Sequence, residues 1–149
     1  MRAALLWAVL AMANTCTTAK VAENAGAENV EISTIARGGY AAQESERKAV
    51  LSTNDDDYRR QWKELIGESE IPNVDFGRGV VVFLLGGMRN TGGWSVQPTS
   101  ARVEADGTAV IDAKVKGPPP GGITTQAITY PYAVIVVKSR DVKKVNWPE

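Results

Sequence analysis

Three carboxylates are the residues of this sequence best suited to acid–base chemistry. Asp75 lies between Val74 and Phe76, and Glu64 and Asp112 are the other candidates. An apolar setting raises the pKa of a carboxyl group, which makes Asp75 the best single candidate for a catalytic residue. An aspartate at the entry to a strand also commonly accepts hydrogen bonds from turn amides. No second carboxylate stands at a recognisable spacing from Asp75, so the sequence favours a structural role for Asp75 in a turn over a catalytic role.

The absence of histidine narrows the chemistry further. The 149 residues contain no histidine and one cysteine, Cys16. Ser-His-Asp and Cys-His nucleophile systems and the usual His/Cys zinc sites are therefore excluded, while a carboxylate-based mechanism and a lysine base remain possible. The three aspartates at 55–57 lack the alternating ligands of a calcium loop. We expect no enzyme activity, no metal site and no cofactor.

The charge balance indicates which partners to expect. Lysine plus arginine and aspartate plus glutamate number 17 each, and 44% of the residues are hydrophobic. This is the composition of one ordinary globular domain, with no basic excess for nucleic acid. We expect no nucleic-acid partner.

The first 16 residues, MRAALLWAVLAMANTC, have the order of a secretory signal. Arg2 precedes an apolar run from Ala3 to Ala13, and small residues follow. The run of about 11 residues is too short for a membrane-spanning helix, which needs about 20. Cleavage after Ala13 by an ordinary signal peptidase and lipidation at Cys16 both remain open. Either route exports the protein to the periplasm or the extracellular space, and the second anchors it to the cell envelope.

The rest of the chain is predicted to form a linker and one domain. Residues 17–29 are small and polar, which is typical of a flexible linker. The single domain spans 30–149, with strands predicted at 30–36, 47–53, 79–87 and 133–139. The run GVVVFLLGG at 79–87 is continuously apolar, which predicts a central strand covered on both faces. One helix among six or more strands indicates an α+β, β-rich fold, a small antiparallel sandwich or partial barrel.

Two local patterns are specific enough to predict geometry. Tyr58, Trp62, Leu65 and Ile66 form one apolar stripe on a helix, which Thr53 or Asn54 would cap at its start and Gly67 at its end. In the hairpin around Asp106-Gly107, a three-residue loop at 106–108 keeps one face apolar. That loop would pair Ala105 with Ala109, Val103 with Ile111 and Ala101 with Ala113.

Three loops rich in glycine, proline and aromatic residues are the candidate recognition surface. Gly92 and Gly93 would let the backbone fold back, and an up-and-down arrangement of strands would bring the three loops to one end of the domain. For any single loop, a connecting turn with its aromatic side chain in the core is the more common structure. The candidate partner-binding residues are Thr91, Gly92, Gly93, Trp94, Pro119, Pro120, Gly121, Tyr130, Pro131 and Tyr132.

These segments resemble the C-terminal domain of the protease-complex subunit PrcB. The family pattern has a Val-Asp-Phe entry, an apolar strand, a Thr-Gly-Gly-aromatic turn, a Pro-Gly loop, a Thr-Gln segment and a Pro-Tyr step into the last strand. Trp94 stands where tyrosine is commoner, and Tyr130 where serine or threonine is expected. The matching positions are Val74, Asp75, Phe76, Thr91, Gly92, Gly93, Trp94, Pro120, Gly121, Thr125, Gln126, Pro131 and Tyr132.

The resemblance implies a non-catalytic accessory protein that is exported and binds a protein partner, with a protease as the candidate. A chagasin-like protease inhibitor is an alternative, because chagasin-type inhibitors also cluster a Gly-aromatic, a Gly-rich and a Pro-aromatic loop at one end of a β-sandwich. A carboxylate-dependent enzyme of unknown substrate and a purely structural envelope protein also remain open.

The predicted leader can be tested by mass spectrometry of the protein purified from its native envelope. We expect an N-terminus at Asn14 or later, or a lipidated Cys16, because the charged, apolar and small segments follow in the order that signal processing requires. An intact Met1 on the bulk of the protein would contradict export.

Overall fold

The computed structural model describes residues 26–149 as two packed four-stranded sheets with one helix. The predicted leader and most of the predicted linker lie outside these residues. The first sheet has the strand order β1-β5-β6-β8 and the second the order β2-β7-β4-β3. All pairs are antiparallel except β6 with β8. The elements are β1 (Glu28–Val30), β2 (Ile32–Gly38), β3 (Lys48–Ser52), α1 (Asp55–Leu65), β4 (Val80–Leu85), β5 (Ser95–Val103), β6 (Thr108–Lys116), β7 (Tyr132–Val137) and β8 (Lys144–Asn146).

The fold class is as predicted: a β-rich α+β sandwich that is not closed into a barrel. The four predicted strands correspond to β2, β3, β4 and β7. Strand β1 begins at Glu28, within the last two residues of the segment predicted as a linker. It continues into β2 after Glu31 and so passes from the first sheet to the second. The main-chain N–H of Lys138 donates to Glu31 O (2.9 Å) at this crossing point.

Strand β4 is buried on both faces, which confirms the prediction from its continuous apolar run. Val80, Val82 and Leu84 pack between the two sheets. The alternate side chains, Val81, Phe83 and Leu85, pack with α1 on the outer face of the second sheet. Because successive side chains of a strand point to opposite faces, this one segment supplies both hydrophobic clusters.

The helix forms as its sequence pattern predicts. Asn54 is the N-cap, and its side chain accepts a hydrogen bond from Asp57 N–H (2.9 Å). The neighbouring aspartates pair with arginines one turn later, Asp55 with Arg59 and Asp57 with Arg60. These contacts support the helix-cap interpretation of the three aspartates over a calcium loop. Of the predicted stripe, Tyr58, Trp62 and Leu65 are buried, Ile66 is partly buried, and Gly67 ends the helix with φ +107°.

The predicted register of the β5–β6 hairpin is wrong by two residues. Val103 pairs with Ala109 and Ala101 with Ile111, so the three-residue loop is 105–107 rather than 106–108. Gly107 has φ +84° and therefore occupies the left-handed position that ends such a loop. Asp106 also accepts hydrogen bonds from the Thr108 N–H and hydroxyl (both 2.9 Å), which starts β6 at Thr108.

The contribution of Tyr58 to stability can be tested by mutation. Tyr58 belongs to the hydrophobic cluster between α1 and the second sheet, here called the helix-side cluster, whose buried members are Tyr58, Trp62, Leu65, Val81, Phe83, Leu85 and Val134. The Tyr58 side chain is fully buried, its hydroxyl donates to Pro72 O (3.0 Å), and burial raises the pKa of Tyr58 from 10.0 to about 12. A tyrosine in the unfolded chain ionises first, so the contribution of Tyr58 to stability is complete below pH 10 and is lost as the pH rises through about 12. We expect Tyr58→Phe to remove roughly 3 kcal/mol of this pH dependence, and to lower the free energy of unfolding at neutral pH by about 1 kcal/mol because the hydrogen bond is lost.

Urea unfolding of both proteins at several pH values measures these quantities. Tyr40→Phe is the control, since Tyr40 is 67% exposed and its replacement should change the free energy of unfolding at neutral pH by about 0.5 kcal/mol or less. An unchanged alkaline slope in Tyr58→Phe would show that Tyr58 ionises as it does in the unfolded chain.

Candidate functional site

Two connecting loops run side by side from the second sheet to the first. The loop at 86–94 joins β4 to β5, and the loop at 117–131 joins β6 to β7. Leu85 pairs with Tyr132, so the start of the first loop lies beside the end of the second. Ser95 pairs with Lys116, so the end of the first loop lies beside the start of the second. The predicted clustering of the loops is observed, although the strand order β2-β7-β4-β3 is not the expected up-and-down arrangement.

Hydrogen bonds tie the two loops together along their length. Arg89 and Thr129 exchange main-chain bonds of 2.8 and 2.9 Å, and Gly92 N–H donates to Thr125 O (3.0 Å). The Thr129 hydroxyl donates to Thr91 O (2.8 Å), and this side chain is only 5% exposed. Backbone groups that are paired in this way cannot rearrange without losing several hydrogen bonds, so the loops form one stiff surface.

The two adjacent glycines have different roles. Gly93 has φ +83°, a conformation that other residues rarely adopt, and it folds the backbone back as predicted. Gly92 does not have a positive φ. It is buried, and any Cβ at this position would clash with the Thr125 hydroxyl. The prediction that both glycines serve the turn is therefore wrong for Gly92, which instead allows the close approach of the second loop.

Trp94 is half-buried rather than a core side chain. Its indole Nε1–H donates to the Thr91 hydroxyl (3.2 Å), and the ring lies against Gly117. The guanidinium carbon of Arg89 lies 4.8 Å from the centroid of the Trp94 ring. A cation held over an aromatic face restricts the motion of both side chains, so the accessible part of the Trp94 ring has a fixed orientation.

The proline tip of the second loop is exposed. Pro119, Pro120 and Gly121 are all accessible, and Gly122 N–H closes the turn on Pro119 O (3.0 Å). Gly121 has φ +77°.

The structure does not place Pro131 and Tyr132 on the predicted surface. Pro131 is fully buried against Gly86, whose N–H donates to Pro131 O (2.7 Å), because this residue leads into β7 in the interior of its sheet. Tyr132 is half-buried in the helix-side cluster, and a Cβ on Gly38 would lie 2.7 Å from its ring. Burial also raises the pKa of Tyr132.

Tyr130 is the residue of this segment that remains partly accessible. It is half-buried and forms an isolated bridge with Tyr40 in the loop between β2 and β3. A third loop, 39–47, therefore joins the first two. We refer to these three loops, together with residues 147–149, as the loop end.

The loop end carries the exposed large hydrophobic side chains of residues 26–149. They are Tyr40 (67% exposed), Met88 (43%), Ile123 and Ile128 (56%). Each lies in one of the three loops, and two of the loops are bridged at Arg89–Thr129, beside Met88 and Ile128. Single exposed apolar residues are normal, but a group of them confined to one end of a domain makes the loop end the candidate interaction surface.

A second arginine–tryptophan stack at this end has no counterpart among the sequence predictions. The guanidinium carbon of Arg47 lies 3.8 Å from the centroid of the Trp147 ring, and Arg47 Nη2 donates to Pro148 O (2.5 Å). The Trp147 indole donates in turn to Ala113 O (2.9 Å) on β6. No local signal links residues so far apart in the chain, whereas Arg89 lies just before the Thr-Gly-Gly-Trp motif, and that proximity was a usable signal.

The candidate carboxylates are not brought together. Asp75 is 67% exposed; it accepts the Gly77 N–H (2.8 Å) and lies 3.4 Å from Arg78 Nε, which is the predicted turn. Glu64 is exposed on α1, and Asp112 bonds the Ser100 hydroxyl (2.8 Å) on β5. Residues 26–149 contain no group of acidic or cysteine side chains arranged to hold a metal ion. Within this range no helix is long and apolar enough to cross a membrane.

Comparison with known proteins gives one match. Residues 80–138, from the start of β4 to just beyond the end of β7, match the family model described as PrcB C-terminal. The match contains both interlocked loops and begins after the Val-Asp-Phe entry at 74–76. No curated protein and no solved structure matches the chain significantly. This match confirms, over residues 80–138, the resemblance predicted from the sequence motifs.

Proposed function

We propose that this protein is an exported, non-catalytic accessory domain that binds a protein partner, a protease, through the loop end. The family match supports the association with a protease complex. The order of the first 16 residues supports export.

The observation that carries this proposal is the confinement of exposed apolar side chains to the loop end. Ile123 and Ile128 flank the segment that holds Thr125, and Met88 and Tyr40 extend the surface onto the two neighbouring loops. Burying such side chains in water-excluding contact with a partner contributes about 25 cal/mol per Å² of apolar surface. The same side chains contribute little to the fold, because they are already accessible to solvent.

The stiffness of the loops favours binding. The Gly92–Thr125 and Arg89–Thr129 hydrogen bonds and the prolines at 118–120 order this surface before a partner arrives. A surface that is already ordered loses less conformational entropy on association, so more of the contact energy appears as affinity.

A chagasin-like inhibitor would use the same end of the sandwich but would block the active site of its protease. In that layout Trp94 and the tip at 119–121 would enter the active-site cleft, and both are at least partly accessible. The effect of the purified domain on the activity of the captured protease separates the two functions. An accessory subunit leaves the active site open, whereas an inhibitor abolishes turnover.

Replacing Ile123 and Ile128 together by serine tests the loop end. We expect the melting temperature to stay close to that of the wild type, because exposed substitutions change the free energy of unfolding by about 0.5 kcal/mol or less. Capture of a protease from the native exported fraction, quantified by mass spectrometry against the wild-type protein, should fall at least about tenfold, since two apolar anchors are lost.

The matched control is Arg78→Ser, whose side chain is 87% exposed near the entry to β4. It should melt and capture the protease as the wild type does. Equal capture by the control and by the double variant would show that the loop end is not the binding surface. Capture that yields no protease with any variant would contradict the proposed partner.

The alternative of a carboxylate-dependent enzyme is tested by Asp75→Asn. Asparagine can still accept the Gly77 N–H, and the ion pair to Arg78 is exposed, so we expect the free energy of unfolding to change by less than about 1 kcal/mol. Assays with peptide, ester and glycoside substrates should show no turnover by either protein. Turnover by the wild type that disappears in a folded Asp75→Asn variant would identify an enzyme.

A further inference from the structure

Two arginines at the loop end are held by tryptophan rings rather than by carboxylates. Arg47 lies over Trp147 at 3.8 Å and Arg89 over Trp94 at 4.8 Å, measured from the guanidinium carbon to the ring centroid. Each guanidinium also donates from Nη2 to one main-chain oxygen, that of Pro148 or of Gly86. Stacking and a single carbonyl fix the position of an arginine but do not neutralise its charge.

The chain brings these two arginines close together. Met88 N–H donates to Ser45 O (3.3 Å), and Gly87 packs against the backbone of Arg47, so the segments that carry the two arginines are in contact. A Cβ on Gly87 would lie 3.1 Å from Arg47 N, and the φ of +77° at Gly87 also favours glycine there. Burial, together with the positive charge of Arg89, lowers the pKa of Arg47.

The charge of the pair is left largely uncompensated within residues 26–149. Arg59, Arg60, Arg78 and Arg102 each form an ion pair with an aspartate, whereas none of the ion pairs between described residues includes Arg47 or Arg89. The Nε–H groups of both arginines are buried without an acceptor. Glu149 is the carboxylate that attracts Arg47, and its effect raises the pKa of Arg47 against the larger effect of burial.

We propose that Arg47 and Arg89 form a carboxylate-binding site that takes an aspartate or glutamate side chain of the protein partner. This inference rests on the proposed function, because it names the chemistry that the loop end recognises. Trp147 and Trp94 each cover one face of a guanidinium group and both Nε–H groups are buried, so the edge formed by the two Nη groups is the part left for a ligand. A planar carboxylate matches this edge with two parallel hydrogen bonds.

The surroundings favour a protein side chain over a small inorganic anion. Met88 lies next to Arg89 in the chain, and Ile128 lies next to Thr129, the bridge partner of Arg89. A carboxylate that arrives on a polypeptide would bring apolar neighbours for these side chains, and the exclusion of water around the pair would strengthen the charged contact.

The two indole groups provide a direct readout. We would titrate the full-length ¹⁵N-labelled protein with a blocked tetraglutamate peptide and follow the tryptophan Nε1–H signals by NMR. The signals of Trp94 and Trp147 should move and saturate, because each ring carries one of the two arginines. The Trp62 signal is the internal control, since this indole is 2% exposed and donates to the Ser69 hydroxyl on the helix side.

Matched titrations make the result specific. A tetraglutamine peptide of the same length should move neither signal. The double variant Arg47→Lys/Arg89→Lys, which keeps both charges, should bind tetraglutamate at least about tenfold more weakly, because lysine cannot form the two parallel bonds. Arg78→Lys should bind as the wild type does. We also expect Glu149→Gln to bind more tightly, since it removes the carboxylate that attracts Arg47.

Several outcomes would overturn the proposal. They are equal shifts with tetraglutamine, unchanged affinity in the folded Lys/Lys variant, or tighter binding of inorganic phosphate than of tetraglutamate. If the protease is captured but tetraglutamate does not bind, the carboxylate site is wrong and the accessory function stands. If tetraglutamate binds at the arginines but no protease is captured, the site stands and the proposed partner is wrong.

Discussion

The antiparallel pairing of β4 with β7 is the constraint on which the rest of the structure depends. Val80 pairs with Val137 at one end and Leu85 with Tyr132 at the other, so the chain that leaves β4 emerges beside the chain that enters β7. Both strands are buried in the middle of their sheet, and a one-residue slip would exchange the residues of the two hydrophobic clusters. The register is therefore fixed by burial, and it fixes the position of the two interlocked loops.

The proposed binding surface and the residues that stabilise the fold lie in different parts of the domain. The apolar side chains of the strands and α1 are buried or partly buried in the two hydrophobic clusters, while Tyr40, Met88, Ile123 and Ile128 are exposed in the loops. The loops do not need these side chains to hold their shape, because main-chain bonds, the Gly92–Thr125 contact and the Arg89–Trp94 stack do so. Substitution of the exposed side chains can therefore change binding while the fold persists, which makes the proposed surface accessible to experiment.

Much of the fold was predictable from the sequence, and the failures have physical causes. The continuous apolar run of β4 and the apolar stripe of α1 indicate directly which side chains are buried, so the predictions for both elements were correct. The hairpin register failed because the position of Gly107 in its loop, rather than apolar matching alone, decides where β6 begins. Pro131 and Tyr132 were assigned to the surface from their types, yet a proline and a tyrosine at the start of an interior strand are covered by Gly86, Gly38 and the helix-side cluster.

The contacts of Arg47 and Arg89 include one that no local sequence pattern could predict. Arg47 and Trp147 are far apart in the chain, and their contact exists only because β3 and the residues after β8 meet at the loop end. Bringing Arg47 beside Arg89 costs free energy, since like charges repel in a partly desolvated setting. The two tryptophans offset part of that cost through cation–π contact but leave the positive charge in place. A domain with equal numbers of acidic and basic residues thus concentrates two cations among exposed apolar side chains, and this combination suits recognition of an acidic residue within an apolar segment of a partner.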